Sequence, residues 1–175
     1  MDKKEIVLSS SRVNSYGYRV LTNGINTEQY ARNPILLWNH NRPFRDTKDV
    51  ILPIGKIEGL RKDGDLLIGT PVFDEGDEFA KEIKRKFEGG FINMSSIGID
   101  IVEVSEAAEH LVQGQTRATI TKSKLREVSL TDIGANDDAV VLYADGGNRV
   151  ELSAGGDSNI IPKLNFNNNK NFNKM

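Results

Sequence analysis

Serine, histidine and a carboxylate are the side chains in this sequence whose combination could do chemistry. The 175-residue chain has no cysteine and only two histidines, which excludes disulfides, thiolate metal sites and a cysteine nucleophile. A serine hydroxyl is a poor nucleophile until a neighbouring imidazole takes its proton. The imidazole in turn gains from a carboxylate that fixes its tautomer and stabilises the cation. His110 lies among Glu106, Glu109 and Gln113 in a polar stretch and reads as a solvated surface residue. His40 closes the apolar run Ile35-Leu36-Leu37-Trp38, a junction of scaffold and loop where functional groups are often presented.

Ser96 and Glu127 complete the set. In Ser96-Ile97-Gly98-Ile99-Asp100-Ile101 the isoleucines alternate with small or polar residues, the period of a strand with one buried face. Ser96 points away from that face, Ser95 falls on it, and Gly98 is expected to leave backbone open to close approach. In Arg126-Glu127-Val128-Ser129-Leu130-Thr131 the valine and leucine share one side, and Glu127, Ser129 and Thr131 the other. Backbone N–H groups near the following glycine turn, Gly134-Ala135, could serve a developing oxyanion. Plainer readings fit the same residues: a strand-end histidine bonded to its loop, and a glutamate on an exposed strand face. Composition does not separate them. No histidine–carboxylate cluster has metal-ligand spacing, so neither metal nor cofactor is implied.

The elements that must position these residues are mainly strands. Glu5 to Val13 and Tyr16 to Thr22 read as strands flanking the turn-prone Asn14-Ser15. Thr27 to Arg32 allows one helical turn before Asn33-Pro34, and a strand follows from Ile35 to His40. Ile51 to Leu60 and Asp65 to Phe73 form a hairpin around Lys62-Asp63-Gly64. One segment predicts a principal helix, with Asp74 as N-cap, Phe79, Ala80, Ile83 and Phe87 on one face, and Gly89-Gly90 as the stop. Glu103 to Gln115 reads as a polar surface excursion. Arg117 to Lys122, Leu125 to Asp132 and Ala139 to Tyr143 complete the strands. The expectation is a mainly β protein, a closed or nearly closed barrel with one helix packed on it. Residues 1–144 would form the barrel and 145–175 a flexible tail rich in glycine, asparagine and lysine.

The formal net charge of −2 gives no electrostatic reason to expect nucleic-acid binding. No apolar run is long enough for a membrane span or a signal-peptide core, so the chain is expected to be soluble where it is made.

Four blocks in order carry a family resemblance: Pro34-Ile35-Leu36-Leu37-Trp38-Asn39-His40, Pro53-Ile54-Gly55-Lys56-Ile57, Met94-Ser95-Ser96-Ile97-Gly98-Ile99, and Arg126-Glu127-Val128-Ser129-Leu130-Thr131-Asp132-Ile133-Gly134-Ala135-Asn136. They resemble the tailed-phage prohead (capsid maturation) proteases, relatives of the herpesvirus assemblin proteases with a shared β-barrel fold. The resemblance implies Ser96 as nucleophile, His40 as general base and Glu127 as its orienter, where the herpesvirus enzymes have a second histidine. It implies Ala135 and Asn136 N–H groups as oxyanion donors. Gly134 stands where phage relatives usually carry proline, and the arginines of the herpesvirus turn are missing. The implied activity is a serine endopeptidase of phage or prophage origin, acting inside the assembling procapsid in the bacterial host cytoplasm. Its substrates would be the scaffold or the scaffold-like part of the major capsid protein, and a homodimer is left open. The rivals are a non-catalytic scaffold-binding barrel of the same fold and a generic hydrolase or small-molecule binder with a deep apolar pocket. The stretch Gly146 to Gly156 is an expected self-cleavage site.

Overall fold

The structure is a computed structural model that describes residues 4–41 and 52–139. Its strands are β1 (Ile6–Ser10), β2 (Arg19–Val20), β3 (Ile25–Asn26), β4 (Ile35–Trp38), β5 (Gly55–Asp63), β6 (Leu66–Phe73), β7 (Met94–Ser105) and β8 (Thr119–Thr131). The helices are the short α1 (Glu28–Ala31) and the principal α2 (Glu78–Glu88), with single 3-10 turns at Thr22–Gly24 and Ala108–His110. The strands form one sheet that curls into a nearly closed barrel. No helix among the described residues is long and apolar enough to cross a membrane.

β8 is the spine. Along one edge it receives β2, β3 and β4 in turn, all parallel, and along the other it pairs with β7, antiparallel. The sheet continues from β4 through β5 and β6 to β1. The two ends then meet, where the Ser95 hydroxyl on β7 donates to the Val7 carbonyl on β1 at 2.8 Å. The core inside the barrel includes Ile6, Leu8, Leu36, Ile57, Leu67, Leu125, Val128 and Leu130. α2 covers it with Ala80, Ile83 and Phe87, the last tilted against Phe73 at 5.7 Å between ring centroids.

Several boundaries differ from those read in the sequence. The predicted strands 117–122 and 125–132 are one continuous strand, β8, because neither Ser123 nor Lys124 breaks its pairing with β7. β7 runs on to Ser105, so the polar excursion begins later than Glu103. Only Arg19–Val20 of the predicted strand 16–22 pairs as strand. The α2 cap is Asp77, whose side chain accepts the Ala80 N–H at 2.8 Å, whereas Asp74 closes a tighter turn onto the Gly76 N–H. Phe79 is not on the buried face; it is 47% exposed. The predicted last strand lies, past Ala139, outside the described residues, as does the tail.

Candidate active site

The site is built on the outer face of β8, and a bulge puts it there. Gly98 of β7 pairs with Glu127, but the next residue, Ile99, pairs with Leu125, leaving Arg126 as an extra residue on β8. Leu125 therefore faces the core together with Val128 and Leu130, a spacing no regular strand allows. Beyond the bulge the alternation restarts with Glu127 and Ser129 turned to the other side.

The imidazole arrives from β4. That strand stops at Trp38 rather than His40, and Asn39 and His40 take left-handed φ angles of 50° and 57°. Asparagine and histidine are among the non-glycine residues that tolerate this region best, yet two in succession need support. The Asn39 N–H donates to the Leu130 carbonyl at 2.9 Å, the His40 N–H to the Ser129 hydroxyl at 3.1 Å, and the Asn41 N–H to the Trp38 carbonyl at 3.0 Å. The turn swings the His40 ring over β8, where its Nδ1–H donates to Glu127 Oε1 at 2.5 Å. A carboxylate only accepts, so the shared hydrogen belongs to Nδ1, and Nε2 is the basic nitrogen of the neutral ring.

Burial is divided unevenly across this pair. The Glu127 side chain is 5% exposed and that of His40 44%, so the charge is sheltered while the imidazole stays reachable. A carboxylate so deeply placed requires partners. Its second oxygen, Oε2, accepts the Ser129 hydroxyl at 2.8 Å. Space for it comes from Gly98, where a Cβ would lie 2.3 Å from Glu127 Oε1. Gly98 thus seats the glutamate, and the open backbone expected there for an approaching substrate is already filled. Beneath, the buried Tyr30 hydroxyl donates to the Ile35 carbonyl at 2.8 Å. Burial first, and then the charge of Glu127, push its pKa up.

Ser96 sits directly across from Ser129 in the β7–β8 register. Cross-strand partners point to the same side of a sheet, so Ser96 shares the face that carries Glu127 and Ser129. The Ser96 hydroxyl makes no hydrogen bond to His40 or Glu127. Ser95 lies on the opposite side, fully buried and bonded to Val7.

The loop after β8 folds back beside Ser96. The Ser95 N–H donates to the Ala139 carbonyl and the Ser15 N–H to the Ala135 carbonyl, each at 2.8 Å. The Asn136 amide donates to the Ser10 carbonyl at 3.1 Å, while Asp138 accepts the Ser10 hydroxyl at 2.8 Å and Arg12 at 2.6 Å. A Cβ on Gly134 would meet Met94 Cε at 2.9 Å and the Ser95 carbonyl at 3.1 Å, so the loop lies tightly on β7. With the loop so pinned, the N–H groups of Ala135 and Asn136 find no acceptor among the described residues.

Sequence reasoning missed Ser129, Gly98 as the seat of Glu127, and the Ser10–Arg12–Asp138 anchor. Ser129 was within reach, since the alternation already put it on the Glu127 side. The anchor joins residues far apart in the chain and had no local signal. His110 lies elsewhere, on the turn after β7, with Nδ1 2.8 Å from the Ser105 hydroxyl. No group of three or more histidine, aspartate or glutamate side chains among the described residues could hold a metal. An open depression of about 710 Å³ adjoins the site, bordered by Asn41, Arg126 and Asp100 and floored by Tyr30, Ile35 and Leu37.

Comparison with curated proteins and with solved structures gives no match. The sequence model of one family, the Caudovirus prohead serine proteases, matches residues 22–150, a span that takes in His40, Ser96, Glu127 and the loop after β8. With most of its length matched, the chain belongs to the Caudovirus prohead serine protease family.

Proposed function

We propose that the protein is the capsid-maturation endopeptidase of a tailed phage or prophage, with Ser96 as nucleophile, His40 as general base and Glu127 as the group that orients His40. The observation that carries the assignment is the His40–Glu127 hydrogen bond, made on the sheet face that Ser96 shares. Ser96 Oγ attacks the scissile carbonyl while its proton passes to His40 Nε2. The buried carboxylate of Glu127 stabilises the resulting imidazolium. The Ala135 and Asn136 N–H groups receive the oxyanion, a role supported by their lack of another acceptor among the described residues and by the anchoring of their loop. His40 then protonates the departing amine, and water, deprotonated by the same ring, releases the acyl group from Ser96. An extended peptide would lie in the open depression beside His40.

The substrates we assign are the scaffold and the scaffold-like part of the major capsid protein, met inside the procapsid in the host cytoplasm. The chain's own segment between Gly146 and Gly156, outside the described residues, is a further substrate. That the Ser96 hydroxyl makes no hydrogen bond among the described residues favours the rival reading, a scaffold-binding barrel without turnover. It weighs little, because catalytic hydrogen bonds are often loose before substrate binds.

Co-expression with the neighbouring capsid and scaffold proteins, followed by intact mass measurement, separates the two. Defined fragments with wild type and none with Ser96→Ala support the protease. Equal processing by Ser96→Ala refutes the nucleophile, and unprocessed but assembled capsid protein in both samples favours the binding barrel. Glu127→Gln keeps the shape but loses the charge, and should slow turnover by about 10⁴-fold, less than loss of Ser96. An intact tail after prolonged incubation of purified wild type refutes self-cleavage.

A further inference from the structure

We infer that Ser129 is the positioning residue of this site, a single hydroxyl that fixes both the base and its carboxylate. The inference rests on the catalytic reading above and adds a fourth residue to it. Ser129 is fully buried in the middle of β8, with Leu37 of β4 in register on one side and Ser96 of β7 on the other. Its hydroxyl has one hydrogen to give and lone pairs to receive. The His40 N–H points at Oγ from 3.1 Å and occupies a lone pair. The hydrogen goes to Glu127 Oε2 at 2.8 Å. Donor and acceptor roles are therefore settled by the partners.

The two bonds do different work. The bond to His40 holds the second of two left-handed residues, the point at which the chain leaves β4 and the ring's direction is set. The bond to Glu127 fixes the carboxylate's rotation, because Oε2 tied to Ser129 leaves Oε1 facing Nδ1. Gly98 supplies the space but no hydrogen bond, so steric room alone would let the carboxylate turn. A closed loop results: Ser129 to Glu127, Glu127 to the ring of His40, and the backbone of His40 back to Ser129. Removing the hydroxyl opens the loop at two points and leaves a buried acceptor unmet.

Ser129→Ala should still react at Ser96, only more slowly. Two readouts test this, neither needing the natural substrate. The first is the rate at which a fluorophosphonate probe labels Ser96, with Ser96→Ala as blank. Ser129→Ala should label about 10- to 100-fold more slowly, the range expected for losing a hydrogen bond to a charged group. In a Glu127→Gln background the same change should cost less, because the part of the effect that runs through the carboxylate is already lost and only the bond to the His40 N–H remains to lose. The second is the nuclear magnetic resonance titration of His40, one of only two histidines. Its midpoint should fall by about one unit in Ser129→Ala, toward the value in Glu127→Gln, as the carboxylate is released. Ser129→Thr, which keeps the hydroxyl, should restore both.

Equal labelling loss in the wild-type and Glu127→Gln backgrounds would mean that the hydroxyl does not act through the carboxylate, and would overturn the inference that it fixes both groups. An unmoved His40 titration would overturn it as well. If wild type is not labelled at all, the catalytic reading fails, and the titration alone still decides whether Ser129 places Glu127 against His40.

Discussion

Both histidines of the chain hold a side-chain oxygen at Nδ1, and the two regions around them differ in every other respect. At His40 the partner is the carboxylate of Glu127, buried in the middle of a sheet and bonded again to Ser129. At His110 the partner is the Ser105 hydroxyl, on a turn that follows the end of β7. Near His110, Glu103 is held below its ordinary pKa by bonds to Lys122 and Thr121 first and by the charge of His110 last. A serine hydroxyl at Nδ1 therefore marks the His110 region, not the candidate site. What distinguishes the candidate site is a sheltered charge at Nδ1, on the sheet face that Ser96 shares. Such a charge makes Nε2 basic and the cation tolerable, whereas the Ser105 hydroxyl at His110 is neutral.

Replacing each histidine in turn should break the comparison most sharply. His40→Ala should lower probe labelling and cleavage by about 10⁵- to 10⁶-fold, because the members of such a unit act together. His110→Ala should leave both within about twofold and at most cost stability of about 1 kcal/mol from the lost Ser105 contact. Comparable losses from the two changes would mean that the carboxylate is not the deciding feature. Gly98→Ala should come next. The added methyl would occupy the place of Glu127 Oε1 and push the carboxylate off His40 while leaving the strand intact. A displacement of about 1 Å can cost about 100-fold. Circular dichroism of the variant should match wild type; a full-rate, folded Gly98→Ala would show that the carboxylate has another productive seat.

Much of this was legible in the sequence where the signal was local. Alternation in Ser96-Ile97-Gly98-Ile99 gave the faces of β7, which place Ser95 in the interior and Ser96 outside. The barrel with one principal helix followed from strand-length apolar runs and a single segment of helical period. The bulge at Arg126 leaves only a faint mark in the sequence, the spacing of three followed by two from Leu125 to Val128 to Leu130. β4 ends two residues before His40 because Asn39 and His40 leave the strand through backbone angles that their side chains merely permit, which the apolar run does not signal. Asp74 and Asp77 are both acidic and close to the start of the helix, and only the geometry of the turn makes Asp77 the cap. Contacts such as Asp138 with Ser10 and Arg12 depend on closure of the whole barrel, which no local pattern encodes.

The smallest effect concerns the reach of the buried charge. Tyr30 lies under the site, and its hydroxyl pKa is raised by burial first and by Glu127 second. The phenol therefore stays neutral in the folded protein at a pH where the unfolded chain, titrating near 10, has begun to ionise. The stability this confers is complete below that value and is lost as pH rises toward the folded-state pKa. Subtracting the ultraviolet titration of Tyr30→Phe from that of wild type isolates this one phenol among the four tyrosines. The difference signal should appear above the ordinary tyrosine range. In Glu127→Gln it should move down only partway, because burial, the larger cause, remains. Tyr30→Phe itself should be less stable at neutral pH by about 1 kcal/mol, from the lost bond to the Ile35 carbonyl, and should lose less stability in alkali. A Tyr30 titration indifferent to Glu127→Gln would mean that the carboxylate's field is spent on His40 and Ser129 and does not extend beneath the strand. That outcome would tighten the contrast with His110, since the charge would then serve the imidazole alone.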